Sequence, residues 1–133
     1  MVAVLASGLE CGVALNVMGH LAISIGAYAD SAIMGKPQHL DASSIAHRGI
    51  SKYPVIVTTV KTGRLRRLIE EARQHPDILL VDYPDQMLHT GHDDELTEAI
   101  STTPEADIKY LGAILYGDAQ ILSQLTGKFS LWK

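Results

Sequence analysis

The sequence contains little cysteine and few aromatic residues, and each shortage narrows the class of protein. The single cysteine, Cys11, cannot form an intramolecular disulfide. This fits a reducing compartment, so we expect a cytoplasmic protein. Aromatic residues make up 5% of the chain and hydrophobic residues 47%. A chain of 133 residues with this content can bury one core. We therefore expect a single domain over residues 1–133 with an aliphatic interior.

Positive charge is also scarce. The formal net charge is −4 at pH 7, which argues against a dedicated nucleic-acid binder without excluding a local basic patch or a tRNA partner. The apolar start of the chain lacks the basic segment of a signal peptide. Its longest apolar stretch is interrupted by Asn16, His20 and Ser24. We therefore expect neither a signal peptide nor a membrane span.

A buried strand and an apolar helix are predicted within residues 1–30. Continuous apolar residues at the start are typical of a strand covered on both faces. From Gly12 onward, apolar residues point all round a helix, so we expect it to be buried on more than one side. The polar exceptions Asn16, His20 and Ser24 recur every four residues and form one stripe. An unpartnered buried polar group costs about 1–3 kcal/mol, so the stripe should meet partners in the core or open into a site.

The rest of the chain alternates between apolar runs and amphipathic helices. Further strands are predicted within residues 39–50, 55–60, 78–81, 110–116 and 129–132. Further helices are predicted over residues 62–75 with Thr62 as N-cap, 93–101 and 118–125. This alternation implies right-handed crossovers and an α/β fold with a small, mostly parallel mixed sheet of four to five strands. Ligands of such sheets bind beyond the carboxyl ends of the strands.

Three residues near that edge are candidates for catalysis. Asp82 is predicted to end a buried strand, where it could act as a general base or could orient another group. His20, about two turns into the first helix, and His92, in the loop after that strand, are its possible partners. The alternatives are that His20 is a satisfied core histidine and that Asp82 accepts hydrogen bonds from loop N–H groups.

Four residues are candidates for ligand binding. The first helix begins at the same predicted edge, and the free N–H groups and positive dipole end of a helix favour anions. We expect Cys11, Gly12, Asn16 and Thr90 to line a small polar site there. Cys11 could also serve as a nucleophile, because a helix N-terminus favours the thiolate, although a lone cysteine is more often inert.

The segment His89–Glu95, H-T-G-H-D-D-E, has the residue types of a metal site. Gly91 indicates a turn, however, and no remote third ligand is evident in the sequence. An acidic helix N-cap beside a solvated histidine explains the segment better than a metal site does. We therefore expect no metal and no cofactor.

Basic residues cluster on the second predicted helix. The cluster comprises Lys61, Arg64, Arg66, Arg67 and Arg73. Glu70 and Glu71 follow Arg66 and Arg67 at a spacing of four residues, which is typical of a solvated helix face. The predicted position of Lys61 and Arg64 near the ligand-binding edge leaves a phosphate-binding role open.

Several motifs resemble an uncharacterised bacterial family that is grouped by fold with the type-2 peptidyl-tRNA hydrolases. They are G-x-A-x-N-V-x-G-H-L-A-x-x-x-G at residues 12–26, Tyr53-Pro54, V-D-Y-P at 81–84, Y-L-G-A-I-L-Y-G at 110–117 and L-T-G-K-F-S-L-W at 125–132. The resemblance covers nearly the whole chain. It implies a three-layer α/β/α domain with a small mixed sheet, and a homodimer.

The sequence departs from the hydrolases at residues that matter for activity. When the two patterns are matched on His20, the reactive lysine of the hydrolases falls on Val13 and the lysine before it falls on Cys11. Their aspartate is matched by Asp82. Without the lysine, neither the contacts to tRNA phosphates nor the usual arrangement of charge can be assumed.

Three functions are compatible with these observations. The first is a module that binds a small anionic or polar metabolite, without turnover, in a crevice at the N-terminus of the first helix. The second is a hydrolase that acts on an aminoacyl-tRNA, peptidyl-tRNA or similar ester and uses Asp82 with a histidine. The third is a dimeric interaction protein whose polar stripe serves only packing.

Overall fold

The computed structural model describes residues 1–133, apart from the side chain of Ala32. The strands are β1 (Val2–Ala6), β2 (Gln38–Leu40), β3 (Ala46–Arg48), β4 (Ile56–Val60), β5 (Leu79–Pro84), β6 (Tyr110–Tyr116) and β7 (Ser130–Leu131). The α-helices are α1 (Cys11–Tyr28), α2 (Thr62–Ala72), α3 (Asp93–Ser101) and α4 (Ala119–Thr126).

Five strands form one mixed sheet in the order β5-β6-β1-β4-β7, and β2 and β3 form a separate hairpin. The prediction of an α/β fold with a mixed sheet is confirmed. The prediction that the sheet is mostly parallel is wrong. In the described backbone β1 pairs in parallel with β4, whereas β1–β6, β5–β6 and β4–β7 are antiparallel. The cause is β6, which lies between β1 and β5 and runs opposite to both.

The side chains of β1 alternate between two core clusters. Val2, Val4 and Ala6 pack with the apolar residues of α2, and Ala3 and Leu5 pack with those of α1. Because neighbouring side chains of a strand point to opposite faces of its sheet, α1 and α2 lie against opposite faces. The side of the sheet that a residue faces therefore decides which helix it can meet.

Helix α1 buries one face only, so the prediction that it is buried on more than one side is wrong. Its buried residues are Ala14, Val17, Leu21 and Ile25. On other sides of the helix Leu15 is 60% exposed and Ile23 is 75% exposed. Among the described residues α1 is the one helix long and apolar enough, by length and composition alone, to cross a membrane. The apolar residues all round α1 had predicted burial on several sides, but the sheet covers only one side of the helix.

Most other element predictions are confirmed, with shifts at their ends. The hairpin of β2 and β3 and the edge strand β7 form where they were expected. The N-cap of α2 is Lys61 rather than Thr62, and α4 is capped by the Asp118 carboxylate, which accepts hydrogen bonds from two backbone N–H groups. The shift that matters most concerns β5, which continues to Pro84 instead of ending at Asp82.

Replacing Gly112 with alanine should destabilise the fold, because α1 lies directly against this position of β6. A Cβ atom there would lie 2.7 Å from Val17 Cγ1 and 3.1 Å from Leu5 Cδ2, which is closer than carbon atoms pack. We expect Gly112→Ala to lower the free energy of unfolding, measured in urea, by about 1–3 kcal/mol.

The control for this prediction is Gly63→Ala in α2, where an added Cβ meets nothing within 4 Å. Alanine favours a helix interior over glycine by up to about 1 kcal/mol, so this variant should be as stable as the natural protein or more so. Equal destabilisation by the two variants would contradict the close packing of α1 on β6.

Candidate functional site

Three of the predicted site residues line one cleft beside α1. His20, Thr90 and His92 surround a cavity of about 250 Å³. The remaining lining residues are Met87, Gly91, Asp93 and Leu96. The cleft therefore joins the middle of α1 to the loop that follows β5 and to the first turn of α3.

Tyr83 of β5 supports the α1 side of this cleft. Its hydroxyl donates a hydrogen bond to Asn16 Oδ1 at 3.0 Å, and its ring meets the His20 ring edge-on, with the centroids 5.6 Å apart. Tyr83 is only 2% exposed, and burial raises the pKa of its hydroxyl, which favours the protonated, hydrogen-bond-donating form. One buried side chain thus contacts two residues that lie one helical turn apart on α1.

The other wall of the cleft is a loop with an internal hydrogen-bond network. Thr90 Oγ1 donates to the Gln86 carbonyl at 3.0 Å, and the Gly91 N–H donates to Glu95 Oε2 at 2.8 Å. The second bond differs from a capping box, because the first-turn glutamate reaches the N–H of the residue before the N-cap rather than that of the N-cap. His92 is the N-cap of α3, and its side chain makes no capping bond. These bonds fix the loop and leave the His92 imidazole available to a ligand.

Negative charge lies next to the two histidines. Asp93 lines the cleft, and Asp94 and Glu95 follow it in the first turn of α3. Carboxylates at this end of a helix are favourable because they face the positive end of its dipole. They also oppose the binding of a simple anion, so the cleft suits a polar ligand that can donate a hydrogen bond.

Asp82 lies on the other face of the sheet from His20. Asp82 Oδ2 accepts a hydrogen bond from an Arg73 guanidinium nitrogen at 3.2 Å, whereas the next residue, Tyr83, contacts α1. Arg73 also donates to Glu105 Oε1 and to the Tyr110 hydroxyl, both at 3.0 Å. The structure therefore places Asp82 in an ion-pair network against α2 and does not bring it together with the histidines.

Burial and hydrogen bonds shift the pKa values of the charged groups in this network. Burial raises the pKa of Asp82, and the attraction of Arg73 only partly opposes that rise. The hydrogen bond from Tyr110 and then that from Arg73 lower the pKa of Glu105. For Arg73 burial acts to lower the pKa, but its bonds to Tyr110 and Glu105 outweigh burial and raise it. Arg73 is therefore held mainly by Glu105 and Tyr110, and Asp82 is the poorly satisfied member.

Cys11 and Gly12 lie at the open N-terminus of α1, away from the cleft. Both are exposed, and a Cβ added to Gly12 would meet nothing within 4 Å. His20 lies nine residues further along α1, which is about 13 Å at the rise of an α-helix. The cleft thus opens on the flank of α1, whereas the sequence predicted a crevice at its N-terminus.

The described side chains contain no group of three His, Cys, Asp or Glu residues placed to hold a metal ion. His89, the first histidine of the segment with metal-ligand residue types, does not line the cleft that holds His20 and His92. The two histidines of the cleft can act as hydrogen-bonding groups.

Tyr83 is the residue that sequence reasoning missed. The available signal was strand alternation, since Asp82 and Tyr83 are neighbours and must face opposite sides wherever the strand includes both. With the strand expected to end at Asp82, Tyr83 was placed in the following loop, where strand alternation does not apply.

Comparison with known proteins gives a family and a fold. The model of a family described as "Protein of unknown function (DUF2000)" matches residues 1–133. A solved structure of a protein of unknown function from Agrobacterium tumefaciens strain C58 superposes with a TM-score of 0.85, covering 99% of this chain and 96% of that one, at 23% identity. No curated protein matches the sequence significantly. At this identity the likeness shows the fold alone, and the peptidyl-tRNA hydrolase-like fold stays a prediction.

The ion-pair network predicts a pH dependence of stability for Asp82→Asn. Because the pKa of Asp82 is raised above its ordinary value of 3.8, its contribution to stability is full below that value and is lost as pH rises through the folded-state pKa. The stability of the natural protein relative to Asp82→Asn should therefore fall from acidic to neutral pH. Urea unfolding of both proteins across that range measures it, and a difference that grows with pH would show that attraction to Arg73 dominates.

Proposed function

Because the chain belongs to the DUF2000 family of proteins of unknown function, its role must be inferred from its own residues, and we propose that it is a binding module for a small polar metabolite. The proposed site is the cleft between α1 and α3, and the bound molecule leaves unchanged.

One observation carries this proposal, namely that His20 of α1 converges on one cleft with Thr90 and His92 of the loop after β5. An imidazole can donate and accept hydrogen bonds. The Thr90 hydroxyl, which already donates to Gln86, can still accept. Met87 and Leu96 supply apolar surface beside these groups, and apolar lining combined with a few convergent polar groups is typical of small-molecule sites.

Size and charge narrow the class of ligand. The volume of about 250 Å³ lies below the range of about 300–1,000 Å³ usual for drug-sized ligands. Asp93 favours a ligand with a donor group, and the imidazoles of His20 and His92 favour one with an acceptor. A small zwitterion of the amino-acid type satisfies both requirements.

The two histidines of the cleft differ from His47 in their partners. General acid–base catalysis needs a base within about 2.6–3.2 Å of the group that it activates, with a partner that orients it. In the part of the chain that the structure describes, His47 has a carboxylate partner, Asp41, but neither His20 nor His92 has one.

The hydrolase hypothesis rests on the resemblance alone. The resemblance also implies a three-layer α/β/α domain, and the positions of α1 and α2 on opposite faces of the sheet are compatible with it. Hydrolysis would require Asp82 to act with a histidine, yet Asp82 accepts a hydrogen bond from Arg73 on the face of the sheet opposite His20. Release of aminoacyl or peptidyl groups from tRNA by the natural protein, abolished by Asp82→Asn, would favour hydrolysis over simple binding.

The exposed side of α1 favours the dimeric hypothesis. Helix α1 contains no charged residue, and its 18 residues span about 27 Å. Its uncovered side carries Leu15 and Ile23 and the open positions Gly12, Gly19 and Gly26, where a partner could approach the backbone closely. We propose that a second copy of the chain covers this side, because one self-complementary surface suffices for a two-fold dimer.

The binding proposal predicts that His92→Ala removes the effect of a ligand on stability. A thermal-shift screen of amino acids, small carboxylates and nucleotides should find a compound that raises the melting temperature of the natural protein. Replacing His92 should abolish that rise, because a bound ligand stabilises only through its affinity for the folded state. His20→Ala should act in the same way.

The matched control is His89→Ala, which removes an imidazole from the same loop but not from the cleft lining. It should keep the response to the ligand. A screen without any stabilising compound, or equal losses in His89→Ala and His92→Ala, would contradict the proposed site.

The dimer proposal predicts that Ile23→Glu gives a monomer, because a buried unpaired charge opposes association. Ile50→Glu is the control, since Ile50 is 77% exposed, close to the 75% of Ile23, but lies outside α1. Light scattering after size-exclusion chromatography measures the mass. A natural protein that is monomeric at all concentrations, or an Ile23→Glu dimer, would refute the proposal.

A further inference from the structure

A second cavity, of about 540 Å³, lies where β4 passes into α2. Its lining includes four basic residues, Lys61, Arg64, Arg67 and Lys128, and no acidic residue. This cavity shares no lining residue with the His20 cleft. β4 is also separated from β5 by two strands of the sheet. The two sites can therefore be tested independently.

Three of the four basic side chains have no internal counter-charge. The Arg64 guanidinium is held by both carboxylate oxygens of Glu71, at 3.0 and 3.3 Å. Across the described side chains, Lys61, Arg67 and Lys128 take part in no ion pair. A chain with a net charge of −4 thus gathers three uncompensated positive charges around one concave surface, and such a surface concentrates anions.

Neutral hydrogen-bond donors line the same cavity. Thr62 also lines it, and its hydroxyl, in the first turn of α2, takes part in no hydrogen bond within the described part of the molecule. The first backbone N–H groups of α2 also lie at this end of the helix. No side chain caps them, because the N-cap Lys61 makes no capping hydrogen bond and the first turn contains no acidic residue. The cations and these donors together offer many hydrogen bonds to one acceptor-rich group.

We propose that this cavity binds the phosphate groups of a small phosphorylated molecule. A phosphate offers several charged acceptor oxygens, which match converging ammonium, guanidinium, hydroxyl and amide donors better than a carboxylate does. The volume lies within the range of about 300–1,000 Å³ for small-molecule sites. The Phe129 ring, stacked 5.2 Å below the Arg64 guanidinium, supplies an apolar wall for the rest of the ligand.

Inorganic pyrophosphate is the probe for this site. Calorimetric titration of the natural protein should show saturable binding at one site, and NMR should show shifts of the Thr62 and Gly63 backbone amides. The double variant Lys61→Ala, Lys128→Ala should weaken binding by about tenfold or more, because charge-assisted hydrogen bonds are lost. Both lysines are exposed, so circular dichroism should report an unchanged fold.

The charge-matched control is the double variant Lys36→Ala, Lys109→Ala, which removes two exposed lysines outside the cavity. It should keep the affinity for pyrophosphate. Absence of pyrophosphate binding, or equal weakening in the two double variants, would overturn the proposal. A single-stranded oligonucleotide that binds the natural protein more tightly than pyrophosphate, and competes with it, would also overturn it in favour of a nucleic-acid surface.

Discussion

Neighbouring side chains of β5 point to opposite faces of the sheet, and this constraint decides which polar residues of the protein can meet. Tyr83 faces α1, where it bonds to Asn16 and contacts the His20 ring. Asp82 faces α2 and pairs with Arg73. A pocket shared by Asp82 and His20 is therefore incompatible with the fold, and the two faces carry separate polar clusters.

Helix α1 has two roles that follow from its composition. One face supplies aliphatic residues to the core and lies close to β6 at Gly112, where even a methyl group would clash. The exposed part of the helix carries the polar residues Asn16 and His20. It also carries the apolar residues Leu15 and Ile23. The proposed ligand and the proposed second copy of the chain would therefore both contact this helix.

Local patterns predicted the elements better than they predicted the site. The strand Tyr110–Tyr116 was predicted at its true ends because burial on both faces leaves an unbroken apolar run. Strand direction leaves no such mark, so the place of β6 between β1 and β5 was missed. The sequence predicted that His20, Thr90 and His92 lie near the same end of β5, and from this their convergence could be expected. The face of the sheet on which Asp82 lies was not predicted, because it depends on β5 continuing to Pro84.

The account depends most on the division of polar residues between the two faces of β5, and double-mutant cycles measure that division directly. Combining Asn16→Ala with Tyr83→Phe should give a coupling of about 0.5–1.5 kcal/mol in the free energy of unfolding, the value of one hydrogen bond. Combining Asn16→Ala with Asp82→Asn should give a coupling near zero. A sizeable coupling of Asn16 to Asp82, with none to Tyr83, would contradict the account.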